Sequence, residues 1–207
     1  MNTNNVTLIG HYGNDEIHAQ AAWVSTGGLT PEKQERMPAL LKMLAEKGHH
    51  TPFERSILHF SMTVEQASHI HFLKHRVGVS INGESARYRE LKEDRFYVPK
   101  DWPVYLRNRI TEHCVESFNK YHDTLDDLVY SGMARKRAKE SARFFLPYAS
   151  QIMLDVSFNF RSFHHFLGLR KKPEAQKEIH DLAAAMLEQV RDIKGNPFKY
   201  TLEAFGY

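Results

Sequence analysis

Apolar side chains recur along this chain at two different periods, and the periods separate its elements. Residues 56–64 alternate, with Leu58, Phe60, Met62 and Val64 on one side, which predicts a strand. Residues 152–158 do the same with Ile152, Leu154, Val156 and Phe158, and residues 6–9 form a shorter apolar run. Between residues 102 and 130 the step changes to three and four. Leu106, Ile110, Cys114, Phe118, Tyr121, Leu125 and Leu128 then mark one face of a long amphipathic helix.

Weaker helical patterns cover residues 17–25, 66–75 and 163–169. A helix over 134–146 ends before Pro147, and a last one covers 173–193. Thr30 followed by Pro31 is a helix start, because Thr can cap and Pro suits the first helical position. Leu40, Leu41, Met43 and Leu44 give that helix its apolar face, and Gly48 stops it. Residues 77–89 contain Gly78, Asn82 and Gly83 and are expected to be a loop. Residues 95–98 are expected to be extended. The chain therefore reads as α+β, with helices dominant, a few antiparallel strands and one domain over residues 1–207.

Composition narrows the class. With 42% hydrophobic and 26% charged residues the chain is globular rather than disordered. The net charge of +3 suits anionic small molecules and nucleic acid alike. A single cysteine, Cys114, excludes an intramolecular disulfide framework and a Cys-rich zinc module, and it sits in the apolar stripe where a packing role is expected. Neither a signal peptide nor an apolar run of membrane-spanning length is visible, so a cytoplasmic protein without membrane partners is expected.

Polar residues that could carry chemistry gather in three places. The first is His49, His50, Thr51 and Glu54. The second is Lys74, His75 and Arg76 with the segment to Tyr88. The third is Asn159, Arg161, His164, His165 and Arg170. Arginine forks in this set, with Arg143 nearby, match phosphates and planar acidic rings. His71 and His75 at helical spacing, and His122 beside Asp123, invite a metal reading. The remaining ligands stand at no recognisable spacing, and 13 histidines make such pairs common, so no metal is expected. The basic run 135–139 could bind RNA or form a solvated face; it lacks interleaved aromatics, and no nucleic acid is expected.

The order of these segments resembles the flavin-dependent thymidylate synthase family, also called thymidylate synthase complementing protein. His49–Glu54 resembles its His-x-Ser/Thr-Pro-Phe-Glu segment, and Lys74-His75-Arg76 its Arg-His-Arg. Residues 142–147 resemble its Ala-Arg-x-x-Leu-Pro, and residues 158–170 its Asn-x-Arg-Ser…Phe-Leu-x-Leu-Arg block. The resemblance spans nearly the whole chain. It implies that family's fold, a homotetramer with shared active sites, and four ligands: FAD, dUMP, methylenetetrahydrofolate and NADPH. The product would be dTMP.

Carried over by position, His49, Thr51, Glu54, Lys74, His75, Arg76, Asn159, Arg161 and His165 would contact FAD. His71, Lys74, Glu84, Ser85, Ala86, Arg87 and Arg143 would hold the nucleotide. Arg170 would stand at the uracil carbonyl edge and act as the catalytic cation. Several positions depart from the family pattern: Lys74 for Arg, His71 for Gln, His165 for Asn, and Gly83 for an acid, with Glu84 one residue later. Eight rather than seven residues separate Arg76 from Ser85. These departures cluster at the nucleotide and keep open methylation or hydroxymethylation of another pyrimidine nucleotide, UMP or dCMP.

Overall fold

The structure is a computed structural model that describes residues 3–85, 90–91 and 93–207. In chain order the elements are β1 (Asn5–Tyr12), α1 (Asp15–Trp23), α2 (Pro31–Gln34), α3 (Met37–Glu46), β2 (Ile57–Glu65), α4 (Gln66–Phe72) and β3 (Val79–Gly83). Then follow α5 (Val104–Tyr130), α6 (Arg135–Ala142), β4 (Gln151–Phe158), α7 (Phe160–Arg170), α8 (Lys177–Arg191) and α9 (Lys199–Ala204). The strands form one small antiparallel sheet in the order β1-β2-β4-β3. The α+β expectation holds. Among the described residues no helix is long and apolar enough to cross a membrane.

Contacts divide the chain into two compact units. The first comprises Met1–Asn5, Met62–Phe72 and Asn82–Leu154. Its core lies on the apolar stripe of α5, where Phe118, Tyr121 and Leu125 bury against Leu91 and Ala142. Cys114 belongs to the same stripe and is 0% exposed. Tyr121 keeps its hydroxyl satisfied inside this core by accepting from Leu91 N at 3.3 Å.

The second unit comprises Val6–Ser61, Leu73–Ile81 and Asp155–Tyr207. Aromatic rings fill it: Phe60 stacks on Phe163 at 5.8 Å between centroids, and Phe160 meets Phe198 at 5.4 Å. Each such side chain removed from water contributes about 1.5–3 kcal/mol. Helix α8 covers this core with Ile179, Ala183, Met186, Leu187 and Val190, all fully buried at helical spacing.

Four expectations change. The helix starting at Thr30 does begin there, with Thr30 Oγ1 accepting from Lys33 N, but it is two helices. Pro38 lies in the first turn of α3. It has no N–H to give, and its ring would clash with the carbonyl of residue 34, so α2 stops and α3 restarts. Residues 79–83 are strand β3 rather than loop. Val79 and Ile81 alternate half-buried with exposed neighbours, and pairing with β4 at the sheet edge overrides the weak propensity of Asn82 and Gly83. Helix α4 ends at Phe72, so His71 and His75 do not share a helical register. Residues 143–145 turn as a 3-10 helix rather than extending α6. Helix α9, short and preceded by Gly195-Asn196-Pro197, has no sequence signal strong enough to predict it.

Candidate active site

In the second unit, α3 ends at Glu46 with Lys47 as its C-cap, and Gly48 takes φ +73°, which only glycine adopts cheaply. The chain then enters a 3-10 turn, Thr51–Arg55, anchored by the fully buried Phe53. This turn leaves Glu54 half-buried at the surface, where its Oε1 accepts from Arg161 Nη1 at 2.5 Å.

Arg161 lies in the first turn of α7, whose N-cap is Asn159. The Asn159 side chain accepts from Ser162 N at 2.8 Å. The same helix start is pinned to the Val77-Gly78 segment: Asn159 N donates to Gly78 O at 3.0 Å, and Ser162 Oγ donates to Val77 O at 2.6 Å. Gly78, at φ +65°, lies so close that a Cβ there would collide with the Asn159 and Ser162 side chains.

A cleft of about 480 Å³ lies beside this junction, lined by His50, Arg161, Ser162, His164 and His165 among others. His164 stacks on Phe205 at 4.0 Å and meets the Tyr207 hydroxyl through Nδ1 at 2.9 Å. Burial, with smaller contributions from His50 and His165, pulls His164 down to about 4, so it is neutral at pH 7. Farther along α7, Arg170 Nε donates to Nε2 of the buried His75 at 3.2 Å, and His165 approaches His75 edge-on at 6.0 Å. Burial pulls the Arg170 guanidinium below its ordinary value. Direct contacts thus join Glu54 to Arg161, and His75 to both His165 and Arg170. His49, Thr51, Lys74 and Arg76 are exposed on the flanking segments.

The first unit holds a separate cavity of about 400 Å³, lined by Gln66, His69, Glu84, Ser85, Arg143 and Tyr148 with an apolar floor that includes Ile152. Arg143 is exposed at the end of α6, its Nε donating to Glu140 O at 3.2 Å. Glu84 is held differently. Its carboxylate accepts from Arg95 Nη2 at 2.6 Å and from Met153 N at 3.2 Å, and its own N–H donates to Met153 O at 2.8 Å. Burial lowers His69. His71, half-buried on α4, does not line this cavity. Ala86 and Arg87 lie outside the described residues.

The sequence reading gives no role to His50 or His164, although both sit in polar clusters it singles out. It passes over Gln66, His69 and Tyr148 entirely. Gln66 and His69, three apart on α4, share a helix face, which is the only signal that could have linked them. His122 pairs with Asp94 at 2.9 Å, and among the described residues no group of three or more His, Cys, Asp or Glu could hold a metal ion. In the basic run, Arg135 pairs with Glu90 at 2.7 Å and Arg137 with Glu140 at 3.7 Å.

A small antiparallel sheet with helices, carrying one His- and Arg-lined cleft and one cavity with an arginine at its rim, marks a protein equipped for anionic, ring-bearing ligands. Residues 7–194 match the family described as thymidylate synthase complementing protein, and the chain belongs to that family. Among its relatives, the flavin-dependent thymidylate synthase of Pseudothermotoga lettingae is 32% identical over 91% of this chain and 85% of its own. That of Thermosipho africanus is 32% identical over 96% and 89%. The solved structure of the UMP/dUMP methylase PolB from Streptomyces cacaoi, bound with 5-Br dUMP, superposes with a TM-score of 0.79 at 27% identity. It covers 99% of this chain and 95% of the other. The same methylase bound with 5-Br UMP gives a TM-score of 0.73 at 25% identity.

Proposed function

We propose that this chain is a pyrimidine nucleotide methylase that converts dUMP to dTMP, with methylenetetrahydrofolate as carbon donor and NADPH-reduced FAD as hydride source. It would act as a cytoplasmic homotetramer with one family domain over residues 1–207. The observation that carries this reading is that α7 brings Arg161 to Glu54 beside the cleft, and His165 and Arg170 to His75. The family match over residues 7–194 supports it.

The donor set fits a flavin nucleotide. Arg161 supplies a cation for a phosphate, and the His50, His164 and His165 rings supply flat faces for a planar heterocycle. The cleft's volume suits part of so large a cofactor, as a site completed by another subunit requires. His49, Thr51, Glu54, Lys74, Arg76 and Asn159 would complete the contacts from this chain. Bound there, FAD supplies the hydride that becomes part of the thymine methyl group.

This chain's residues bind and polarise. In this reading Arg143, Ser85, Ala86 and Arg87 would hold the nucleotide phosphate, and His71, Lys74 and Glu84 would contact the rest of the nucleotide. Arg170, hydrogen-bonded to His75, would stand at the uracil carbonyl edge and favour loss of the ring N–H proton, which activates C5.

A second reading keeps the flavin and folate and extends the substrate to UMP. It is favoured by the likeness to a methylase solved with both 5-Br dUMP and 5-Br UMP. The test is the absorbance spectrum of the purified protein after incubation with FAD and removal of the excess, followed by tritium release from C5-labelled dUMP and UMP. A flavin band with tritium release from dUMP is expected. A folded protein that retains no flavin refutes the proposal, and release from UMP alone replaces it with the second reading.

A further inference from the structure

Behind the Glu54 turn lies a buried polar chain that touches no candidate ligand. His18 on α1 is 0% exposed and uses both ring nitrogens: Nδ1 meets Thr201 Oγ1 at 2.9 Å, and Nε2 meets Ser56 Oγ at 2.8 Å. Asp15, at the start of α1, accepts from Tyr200 N and Thr201 N at 2.8 Å and from Thr201 Oγ1 at 2.6 Å. Proton counting fixes the direction of every bond. The Thr201 hydroxyl has one hydrogen and donates it to Asp15, so it accepts from His18 Nδ1–H. His18 Nε2 is then a bare acceptor and takes the hydrogen of Ser56. Burial pulls His18 down to about 4, which keeps it neutral, and the partners on its two ring nitrogens set the tautomer.

The chain ends on the turn that presents Glu54. His18 grips that turn twice, edge-on to the Phe53 ring at 5.3 Å and through the Ser56 hydroxyl. Phe53 precedes Glu54 by one residue and Ser56 follows it by two. From the other side, Gly13 at φ +92° packs so tightly that a Cβ there would meet Ser56 Cβ at 2.8 Å. The backbone that carries Glu54 is therefore held on both sides, and its side chain meets Arg161.

We infer that Asp15, His18, Thr201 and Ser56 are positioning residues: an oriented hydrogen-bond chain from α9 through α1 sets the Glu54 turn against Arg161 and so shapes the cofactor cleft. The inference rests on the flavin reading of that cleft. Fully satisfied buried networks of this kind fix one geometry, and a partly satisfied one relaxes.

The test uses Thr201→Val, which keeps size but removes the hydroxyl, with Thr201→Ser as the rescuing variant and Ser56→Ala as the milder break. FAD and dUMP dissociation constants are measured well below each melting temperature, with folding checked by circular dichroism. Thr201→Val and Ser56→Ala should each weaken FAD binding about fivefold or more, the loss expected for one network hydrogen bond. Binding of dUMP should stay unchanged, and Thr201→Ser should restore FAD. In a double-mutant cycle with Glu54→Ala the FAD losses should overlap rather than add. Folded variants with unchanged FAD affinity, or fully additive losses, overturn the inference. A wild-type protein that binds no FAD overturns the proposed function instead. If Thr201→Val does not fold, Ser56→Ala decides alone by the same criteria.

Discussion

Replacing Arg95 by leucine isolates what the Glu84 carboxylate contributes. The two side chains are only 18% and 9% exposed, and the bond between them is 2.6 Å. Without the guanidinium, Glu84 keeps the Met153 N–H at 3.2 Å as a donor to its carboxylate. Leaving one member of such a buried pair uncompensated destabilises by about 3–5 kcal/mol, and the residual donor and exposure favour the lower end, ~3 kcal/mol. For a chain of this size each kcal/mol lowers the melting temperature by about 2–4 °C, so Arg95→Leu should melt roughly 6–12 °C early. Scanning calorimetry or fluorescence-monitored melting reads this directly. Arg95→Leu combined with Glu84→Leu should recover much of the loss, because no buried charge remains. A single variant within about 2 °C of wild type, or a double variant no better than the single, would refute the account of Glu84 as a buried partner of Arg95.

Stability should fall between pH 6.5 and about 4, because His18 stays neutral when folded and gains its proton first when unfolded. The sign follows: the contribution is complete above pH 6.5 and lost as pH falls, by ~3 kcal/mol in all. Asp15, which burial raises, acts in the opposite sense, and His164 adds to the His18 trend. His18→Gln should flatten the profile measured by urea unfolding at successive pH values. The Cys114 thiol, pushed up to about 11 by burial, should resist alkylation in the native protein. Cys114→Ala should cost ~1 kcal/mol and leave turnover intact; lost turnover in stable protein would make the cysteine chemical. Arg170→Ala should cut turnover about 100-fold or more while FAD affinity changes less than about threefold; equal losses in both would move Arg170 from the substrate ring to the cofactor.

Periodicity was most legible where one face meets one core. The α5 stripe from Cys114 to Leu125 is buried as its spacing requires, and so are Leu58, Phe60, Met62 and Val64 on β2. What escaped depended on single residues or distant partners. Pro38 breaks a helix whose start signal, Thr30-Pro31, lies before it and whose apolar face lies after it. Strand β3 exists because β4 lies beside it, which no local pattern encodes. In the candidate site, motif order led to Glu54, Arg161, His75, His165 and Arg170, and the structure pairs Glu54 with Arg161 and sets His75 against His165 and Arg170. The commitment of Glu84 to Arg95 could not be read, since both are ordinary charged residues eleven positions apart with no shared periodicity. His18 was equally hidden: only the fold sets α1 between Ser56 and Thr201.

The strand order has a consequence in time. β2 pairs with β4, which lies beyond the whole α5–α6 segment, and β3 also waits for β4. During synthesis the central pair cannot form until residues up to Phe158 have emerged, and until then β2 exposes an alternating apolar strand with only β1 to cover one edge. Closing so long a loop before its contacts reward it slows folding. The nascent chain is therefore most exposed to strand-mediated aggregation in the interval between completing β2 and completing β4, and holdase chaperones would have most to bind in that interval.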